Sequence, residues 1–184
     1  MVAVKKISIE EFENKIKDKY EDLFAKEEQR DWNKIRKAYH DNFEQFYAIY
    51  NDNTMIGFFM LEKLENCPYY LDYFAIFKEY QSKGYGSESI RKLLSDIVKE
   101  DGLIGEIEKV DDSDPITIKR WKFYEKLGFK KFDDVRFLFN IIFNIIIYSD
   151  NSSITGKKAA EVLMDYYKIN IGIEETKKIC SIIE

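Results

Sequence analysis

The turn that follows residue 76 has the residue types of an anion-binding loop. An apolar run ends at Ile76, and Gly84 and Gly86 lie just before an amphipathic helix predicted from Ser87 to Lys99. Glycine lets the backbone approach a ligand closely, and the free N–H groups at a helix start attract negative charge. The segment is therefore predicted to hold a pyrophosphate group.

A second segment, from Phe123 to Phe129, reads Phe-Tyr-Glu-Lys-Leu-Gly-Phe and lies where a predicted helix ends and a new strand begins. Together the two segments resemble the GNAT family of acyl-CoA-dependent N-acetyltransferases. The first matches the family's Gln/Arg-x-x-Gly-x-Gly loop at Gln81, Gly84 and Gly86, and the second matches its Phe-Tyr-Glu-Lys-Leu-Gly-Phe signature at every residue. The resemblance is strongest between residues 55 and 132.

The resemblance implies a fold of the α/β class, mixed α+β in detail, with a central, mostly antiparallel sheet flanked by helices. It also implies direct transfer of an acetyl group from acetyl-CoA to a primary amine of a small molecule or peptide, without a metal or a covalent enzyme intermediate. The strand end is expected to pair with the pantetheine arm, and the loop is expected to bind the pyrophosphate. These acetyl-CoA-binding residues are Phe74, Ala75, Ile76, Gln81, Ser82, Lys83, Gly84, Tyr85, Gly86 and Ser87.

The tyrosine of the second segment is Tyr124, at the position where family members often place a proton donor. The departing CoA thiolate needs a proton, because a free thiol has a pKa of about 8.5. The resemblance therefore implies that Tyr124 is the general acid. The alternative is a core tyrosine whose hydroxyl bonds a neighbour.

A base is also required, because an alkylammonium group has a pKa of about 10.4 and must lose a proton before it attacks. Asp72 is the first candidate, since its spacing from Phe74 and Ile76 predicts that all three share one strand face. Glu106 and Glu108, on the next predicted strand, are alternatives, as is a water molecule. Each carboxylate is otherwise a solvated strand residue or an ion-pair partner.

The composition argues against several other functions. A net charge of −5 argues against a nucleic-acid partner. Cys67 and Cys180 have no CxxC spacing, and a single histidine, His40, excludes a histidine triad or a histidine-based zinc site. The most apolar run, residues 137–147, is shorter than the about 20 residues of a membrane helix, and no signal peptide is recognisable. We therefore expect a cytoplasmic protein without a membrane partner.

The hydrophobic pattern divides the 184 residues into an acetyltransferase-like domain over 1–148 and a helical extension over 149–184. The apolar faces of the two helices predicted in the extension must be covered, either by the late strand of the domain, 137–147, or by a second copy in a homodimer. Two other function classes stay open. One is a non-catalytic regulatory module that binds acyl-CoA, and the other is a protein-interaction role for the extension.

Overall fold

The computed structural model describes residues 1–138, 141–149 and 155–182. The chain forms two compact units. The first unit comprises Met1–Lys63 and Leu71–Ile97, and the second comprises Leu64–Tyr70 and Val98–Glu184.

The first unit combines four strands with four α-helices. The strands are β1 (Val2–Ile7), β2 (Glu44–Asn51), β3 (Thr54–Glu62) and the larger part of β4 (Tyr69–Ile76), in the sheet order β1-β2-β3-β4. Strands β1 and β2 are antiparallel, as are β2 and β3. The helices are α1 (Ile9–Lys15), α2 (Lys17–Leu23), α3 (Trp32–His40) and α4 (Tyr85–Leu93).

Helix α1 begins where the sequence predicts. The Glu11 N–H donates to Ser8 Oγ at 3.2 Å, which caps the first turn. The single helix predicted over this region is interrupted at Ile16, whose φ of −124° lies outside the helical range. Phe12 and Tyr20, on either side of the interruption, are both buried. The break therefore produces two short helices that still share one apolar stripe.

Aromatic side chains form the core of the first unit. The ring of Phe12 lies 4.6 Å from that of Phe46 and 5.4 Å from that of Phe58, measured between centroids. Tyr20 extends this cluster to Tyr73 of β4, with centroids 5.0 Å apart. Full burial of such a side chain contributes roughly 1.5–3 kcal/mol, so the cluster holds β4 firmly against the helices.

The described part of the second unit contains four further strands and three α-helices. In chain order they are β5 (Leu103–Glu108), α5 (Pro115–Glu125), β6 (Lys130–Leu138), β7 (Ile141–Tyr148), α6 (Gly156–Ile171), α7 (Ile173–Ile179) and β8 (Cys180–Ile182). The strand order is β5-β7-β6-β8, and each of these pairs is antiparallel. Tyr69 and Tyr70, the first residues of β4, pair in parallel with Leu103 and Ile104.

The C-terminal region differs from the prediction in two ways. The last predicted helix stops at residue 179, and Cys180–Ile182 instead forms β8 against Arg136–Leu138. The backbone of β8 thereby satisfies the open edge of β6, which a helix cannot do. The predicted late strand is divided between β6 and β7, while residues 139–140 and the predicted loop at 150–153 lie outside the described residues.

The mixed α+β architecture, with a mostly antiparallel sheet and flanking helices, confirms the predicted fold class. Helix α6 of the extension packs against β6 and β7. The boundary at residue 148, the homodimer and the cytoplasmic location stay predictions. Among the described helices, none combines the length and the apolar character needed to cross a membrane.

Candidate active site

The predicted anion-binding loop forms the start of α4. Gly84 is the N-cap residue and has a φ of +84°, a left-handed conformation that favours glycine. Ser82, with a φ of +62°, is also left-handed. No side chain in the described chain caps this helix start, so the N–H groups of Tyr85 and Gly86 lack a capping acceptor. A Cβ atom placed on Gly84 would meet no atom within 4 Å, which leaves the approach to these donors open.

Side chains hold the loop in this shape. Gln81 Nε2 donates to the Ile76 carbonyl at 2.9 Å and so ties the loop to the end of β4. Lys83 Nζ donates to a backbone carbonyl of the preceding turn at 2.9 Å. Asn51 Nδ2 donates to the Tyr85 hydroxyl at 3.1 Å and so anchors the first turn of α4. The predicted loop residues are therefore fixed before any ligand arrives.

The end of β4 is held by an unusually close contact with β3. A Cβ atom on Gly57 would lie 2.3 Å from the Ala75 carbonyl oxygen, so only glycine fits there. Phe74 stacks on Phe59 with ring centroids 4.6 Å apart and planes 14° from parallel. These contacts fix the backbone from Phe74 to Ile76, which is the segment predicted to pair with pantetheine.

Asp72 belongs to a buried charge cluster. Arg30 Nη1 donates to Glu44 Oε2 and Glu62 Oε1, each at 2.7 Å, and also to Asp72 Oδ2. Both glutamate side chains are fully buried, and those of Arg30 and Asp72 are 17% and 9% exposed. Oxygens of the three carboxylates lie within 4.8 Å of one another, as in a metal site, and the Arg30 guanidinium is the cation among them.

The backbone that carries Arg30 is positioned by side chains rather than by regular structure. The Arg30 N–H donates to the Tyr20 hydroxyl at 3.0 Å. The Tyr73 hydroxyl donates to the Glu28 carbonyl at 2.5 Å, and burial raises the pKa of Tyr73 so that it keeps this proton. Gln29 Nε2 donates to the carbonyls at residues 21 and 24. Hydrogen bonds to tyrosines of the aromatic core thus position the Arg30 guanidinium beside the carboxylates.

The structure corrects the predicted orientation of Asp72. Because strand residues alternate, Phe59 and Glu62 of β3 lie on opposite faces of the sheet. Phe74 stacks on Phe59, whereas Asp72 joins Glu62 at Arg30. The prediction that Asp72 shares a face with Phe74 and Ile76 is therefore wrong. The ion pair with Arg30 places the Asp72 carboxylate beside Glu62, against the two-residue alternation on which the prediction depends.

Charge is unbalanced in this cluster, because three carboxylates share one guanidinium. Burial raises the pKa of Glu44 to about 8, against the opposing effect of Arg30. Glu44 therefore carries a proton at neutral pH, and its buried Oε1 has no partner among the described residues. Burial disfavours the charged form of Arg30, but the three carboxylates outweigh burial and raise its pKa well above the ordinary value.

The two alternative bases lie in the second unit with different partners. Glu106 Oε2 accepts hydrogen bonds from the Tyr167 hydroxyl at 2.5 Å and from the Tyr70 hydroxyl at 3.3 Å. Glu108 forms an ion pair with Arg120 of α5, and both side chains are more than a third exposed. The same strand therefore presents one carboxylate to phenols and the other to a guanidinium.

Tyr124 lies near the end of α5 among aromatic rings. Its ring centroid is 5.0 Å from that of Phe123 and 5.2 Å from that of Phe129. The residue is half-buried, and burial raises the pKa of Tyr124 to about 12. It is therefore protonated at neutral pH, as a proton donor must be. Gly128, with a φ of +89°, ends the helix as predicted.

Sequence reasoning missed Arg30 and Tyr167. A signal for Arg30 exists in the predicted hairpin, because Glu44 and Glu62 oppose each other in the β2–β3 register. Like charges that face each other in a buried hairpin are destabilising without a cation between them. No comparable signal marks Tyr167, which lies 61 residues from Glu106 in the chain.

The sequence profile of the acetyltransferase (GNAT) family matches residues 3–129. The chain therefore belongs to the GNAT family and is an acetyltransferase. No protein of curated function matches the sequence closely enough to be compared.

Solved structures show the same fold. A protein described as an acetyltransferase of the GNAT family from Bacteroides thetaiotaomicron superimposes with a TM-score of 0.77 at 18% identity, over 93% of this chain and 99% of that one. Spermidine N-acetyltransferase from Vibrio cholerae, a dodecamer, gives 0.59 at 13% identity, over 83% and 98%. A protein described as streptothricin acetyltransferase from Bacillus anthracis, in complex with acetyl coenzyme A, gives 0.53 at 15% identity, over 82% and 99%.

Proposed function

We propose that this protein transfers an acetyl group from acetyl-CoA directly to a primary amine of a small molecule or peptide. The observation that carries the proposal is the uncapped start of α4, where a left-handed Gly84 leaves backbone donors open to an anion. Family membership supports acetyl transfer, and a neighbour of the same fold holds acetyl coenzyme A. Neighbours named for spermidine and for the ribosomal protein S18 alanine support an amine acceptor.

Acetyl-CoA binding is assigned to the loop and the adjacent strand end. The first N–H groups of α4 and the positive end of its dipole would hold the pyrophosphate, with Lys83 adding charge beside it. The backbone of Phe74–Ile76, at the end of β4, is assigned to pairing with the pantetheine arm. Glycine at 84 and 86 keeps side chains out of the phosphate path.

The proposed reaction needs one base and one acid. The base takes a proton from the acceptor ammonium group, and the nitrogen lone pair then forms a bond to the thioester carbonyl carbon. The tetrahedral intermediate collapses as the C–S bond breaks and its electron pair stays on sulfur. Tyr124 gives a proton to this thiolate and regains one, through solvent, from the new amide nitrogen. The products are the acetylated amine, CoA thiol and one released proton.

The environment of Tyr124 defines how it would act as the acid. Its pKa of about 12 lies above that of a thiol, about 8.5, so full transfer from phenol to thiolate is uphill. Tyr124 would therefore stabilise the developing thiolate by a hydrogen bond, and transfer is completed when the amide nitrogen releases its proton.

The candidate bases differ in how their carboxylates are held. Asp72 contacts Arg30 within the charge cluster, Glu108 contacts Arg120, and Glu106 accepts from two tyrosines. A guanidinium stabilises the ionised carboxylate and so weakens it as a proton acceptor, whereas a neutral phenol does so less. Asp72, Glu106 and Glu108 are therefore all candidates for the general base, and a water molecule is the fourth.

Two measurements test the proposal. Titration calorimetry with acetyl-CoA is expected to show binding in the wild type and none in Gly86→Glu, whose side chain would enter the phosphate path. Arg91→Gln, at the exposed far end of α4, changes the net charge by the same amount and is expected to bind normally. Unchanged affinity in a folded Gly86→Glu protein would refute the assigned loop.

The second measurement is CoA release with a panel of amines: a polyamine, an aminoglycoside, a lysine peptide and a free peptide N-terminus. Turnover with any of them supports the enzyme and identifies the acceptor class. Tight acetyl-CoA binding without turnover on any amine would favour the alternative, a non-catalytic acyl-CoA-binding module.

A further inference from the structure

Helix α4 is held differently at its two ends. In its second half, Ile90 and Leu93 are fully buried, and the helix packs against β1. In its first turn, Tyr85 is half-buried and Glu88 is exposed. Apolar burial therefore fixes the end of the helix more firmly than its start, although the start carries the N–H groups assigned to the pyrophosphate.

Two hydrogen bonds attach the first turn of α4 to one pair of residues in the sheet. Val2 of β1 and Asn51 of β2 are directly opposite each other, and this pair is the anchoring rung. Asn51 Nδ2 donates to the Tyr85 hydroxyl at 3.1 Å. The Val2 N–H donates to Glu88 Oε1 at 3.2 Å. Since Tyr85 and Glu88 are three residues apart on one helix face, the anchoring rung holds the turn at two points.

The first turn of α4 needs this support because of its composition. Gly84 and Gly86 leave room for a ligand, but glycine also gives the backbone more freedom than other residues do. A loosely held turn would have to become ordered when an anion binds, and the cost of ordering lowers the affinity. Contacts that order the turn in advance therefore strengthen binding.

We propose that Asn51 and Glu88 position the first turn of α4, so that the affinity for acetyl-CoA depends on their contacts with Tyr85 and Val2. This inference rests on the proposed function. The role is indirect, because the anchoring rung contacts the turn and the turn contacts the ligand. All four residues belong to the first unit, which also contains the whole of α4.

Calorimetric titration with acetyl-CoA tests the bond between Asn51 and Tyr85. Asn51→Leu keeps a similar shape without the donor, and Tyr85→Phe lacks the hydroxyl. Each variant is expected to weaken binding by about three- to tenfold. Because both break the same hydrogen bond, the double variant is expected to bind no more weakly than the weaker single variant. Losses that multiply in the double variant would contradict a shared role.

Two variants of Glu88 test the second bond. Glu88→Gln keeps an oxygen that can accept from the Val2 N–H, whereas Glu88→Met keeps only the length of the side chain. Both variants remove the charge, so the difference between them measures the hydrogen bond alone. Glu88→Met is expected to bind acetyl-CoA about threefold more weakly than Glu88→Gln. Equal affinities would overturn the role of Glu88.

The matched control is Gln45→Met, on the same strand as Asn51. Gln45 Oε1 accepts from the Tyr47 hydroxyl at 2.7 Å and from Lys6 Nζ at 3.2 Å, so these bonds lie within β1 and β2. The variant loses an amide that is bonded to a tyrosine, as Asn51→Leu does. It is expected to lower the Tm without changing the affinity. A loss of affinity equal to that of Asn51→Leu would show that any loosening of β2 weakens binding.

Amide exchange measures the order of the turn without a ligand. The Glu88 N–H donates to the Gly84 carbonyl at 3.2 Å and so closes the first turn of α4. Its exchange with deuterium is expected to be faster in Asn51→Leu and Tyr85→Phe than in the wild type, and unchanged in Gln45→Met. Unchanged exchange in all three variants would show that the turn is ordered without the anchoring rung.

The outcomes separate this inference from the proposed function. If the wild type binds no acetyl-CoA, the proposed function fails and this inference fails with it. If Gly86→Glu abolishes binding while Asn51→Leu, Tyr85→Phe and Glu88→Met bind as the wild type does, the assigned loop stands and only the role of the anchoring rung is overturned.

Discussion

Asp72 in the first unit and Glu106 in the second are both carboxylates on strands, and each is held by hydrogen bonds from side chains. Asp72 shares Arg30 with two fully buried glutamates, so its charge is part of a balance of three acids and one cation. Glu106 is held by two phenol hydroxyls. Both carboxylates lie at the fourth residue of their strands, β4 and β5, so their different hydrogen bonds come from their neighbours rather than from their place in the strand.

The largest effect is expected when the cation of the first cluster is removed. Arg30→Met leaves three carboxylates in a buried site without their partner, and the free energy of unfolding is expected to fall by about 3–5 kcal/mol. Urea denaturation measures this change. The matched control is Arg120→Met, which removes the exposed ion pair with Glu108 and is expected to cost at most about 1 kcal/mol. Equal losses in the two variants would show that the cluster is not a special structural element.

Tyr124→Phe tests the proposed general acid, whereas the opening comparison concerns the candidate bases. Because its hydroxyl is protonated at neutral pH, its loss is expected to lower kcat by roughly 100-fold with little change in acetyl-CoA affinity. Steady-state kinetics and calorimetry measure the two quantities. A variant with normal kcat and a lower Tm would mean that the hydroxyl serves packing alone.

Asp72→Asn in the first unit is compared with Glu106→Gln in the second. The amide keeps the shape of Asp72 but removes its charge, and the expected loss is about 1–3 kcal/mol of stability. Glu106→Gln is expected to affect kcat more than stability. The two variants are compared by thermal unfolding and by turnover per folded molecule. A larger loss of kcat in Asp72→Asn than in Glu106→Gln would identify Asp72, rather than Glu106, as the base.

The last effect is a pH dependence of stability that arises from Glu44. Its folded-state pKa of about 8 lies above the ordinary 4.5, so the folded protein holds a proton that the unfolded chain has lost between these values. This group's contribution to stability is therefore largest below pH 4.5, falls as the pH rises through that window, and is lost above it. The Tm of the wild type is expected to decline more from pH 5 to pH 9 than that of Glu44→Gln. Parallel curves would contradict the raised pKa.

Features encoded by neighbouring residues could be predicted from the sequence. The loop from Gln81 to Ser87, the Ser8 cap and the helix end at Gly128 each depend on residues a few positions apart. Local backbone preference determines such features, and the structure has them where the pattern predicts. Helix α4 starts two residues before the predicted Ser87, because Gly84 rather than a side chain ends the turn.

The remaining parts of the site depend on contacts between distant residues. Arg30 meets Asp72 across 42 positions, and Tyr167 meets Glu106 across 61. The face of Asp72 was mispredicted because its ion pair with Arg30 brings its carboxylate beside Glu62, and a two-residue period cannot show such a distant contact. The strand Cys180–Ile182 was read as helix because the open edge of β6 that it covers exists only in the folded sheet.

The backbone around Arg30 has a consequence for hydrogen exchange. Its amide proton is bonded to the Tyr20 hydroxyl, and the carbonyl at Glu28 is bonded to Tyr73, so neither bond belongs to a helix or strand that frays from an end. The Arg30 amide can exchange with deuterium only when the rings of the core separate from this segment, and that opening also withdraws the guanidinium from its carboxylates. Its exchange rate in the native protein therefore reports directly on how often three buried acids lose their counterion.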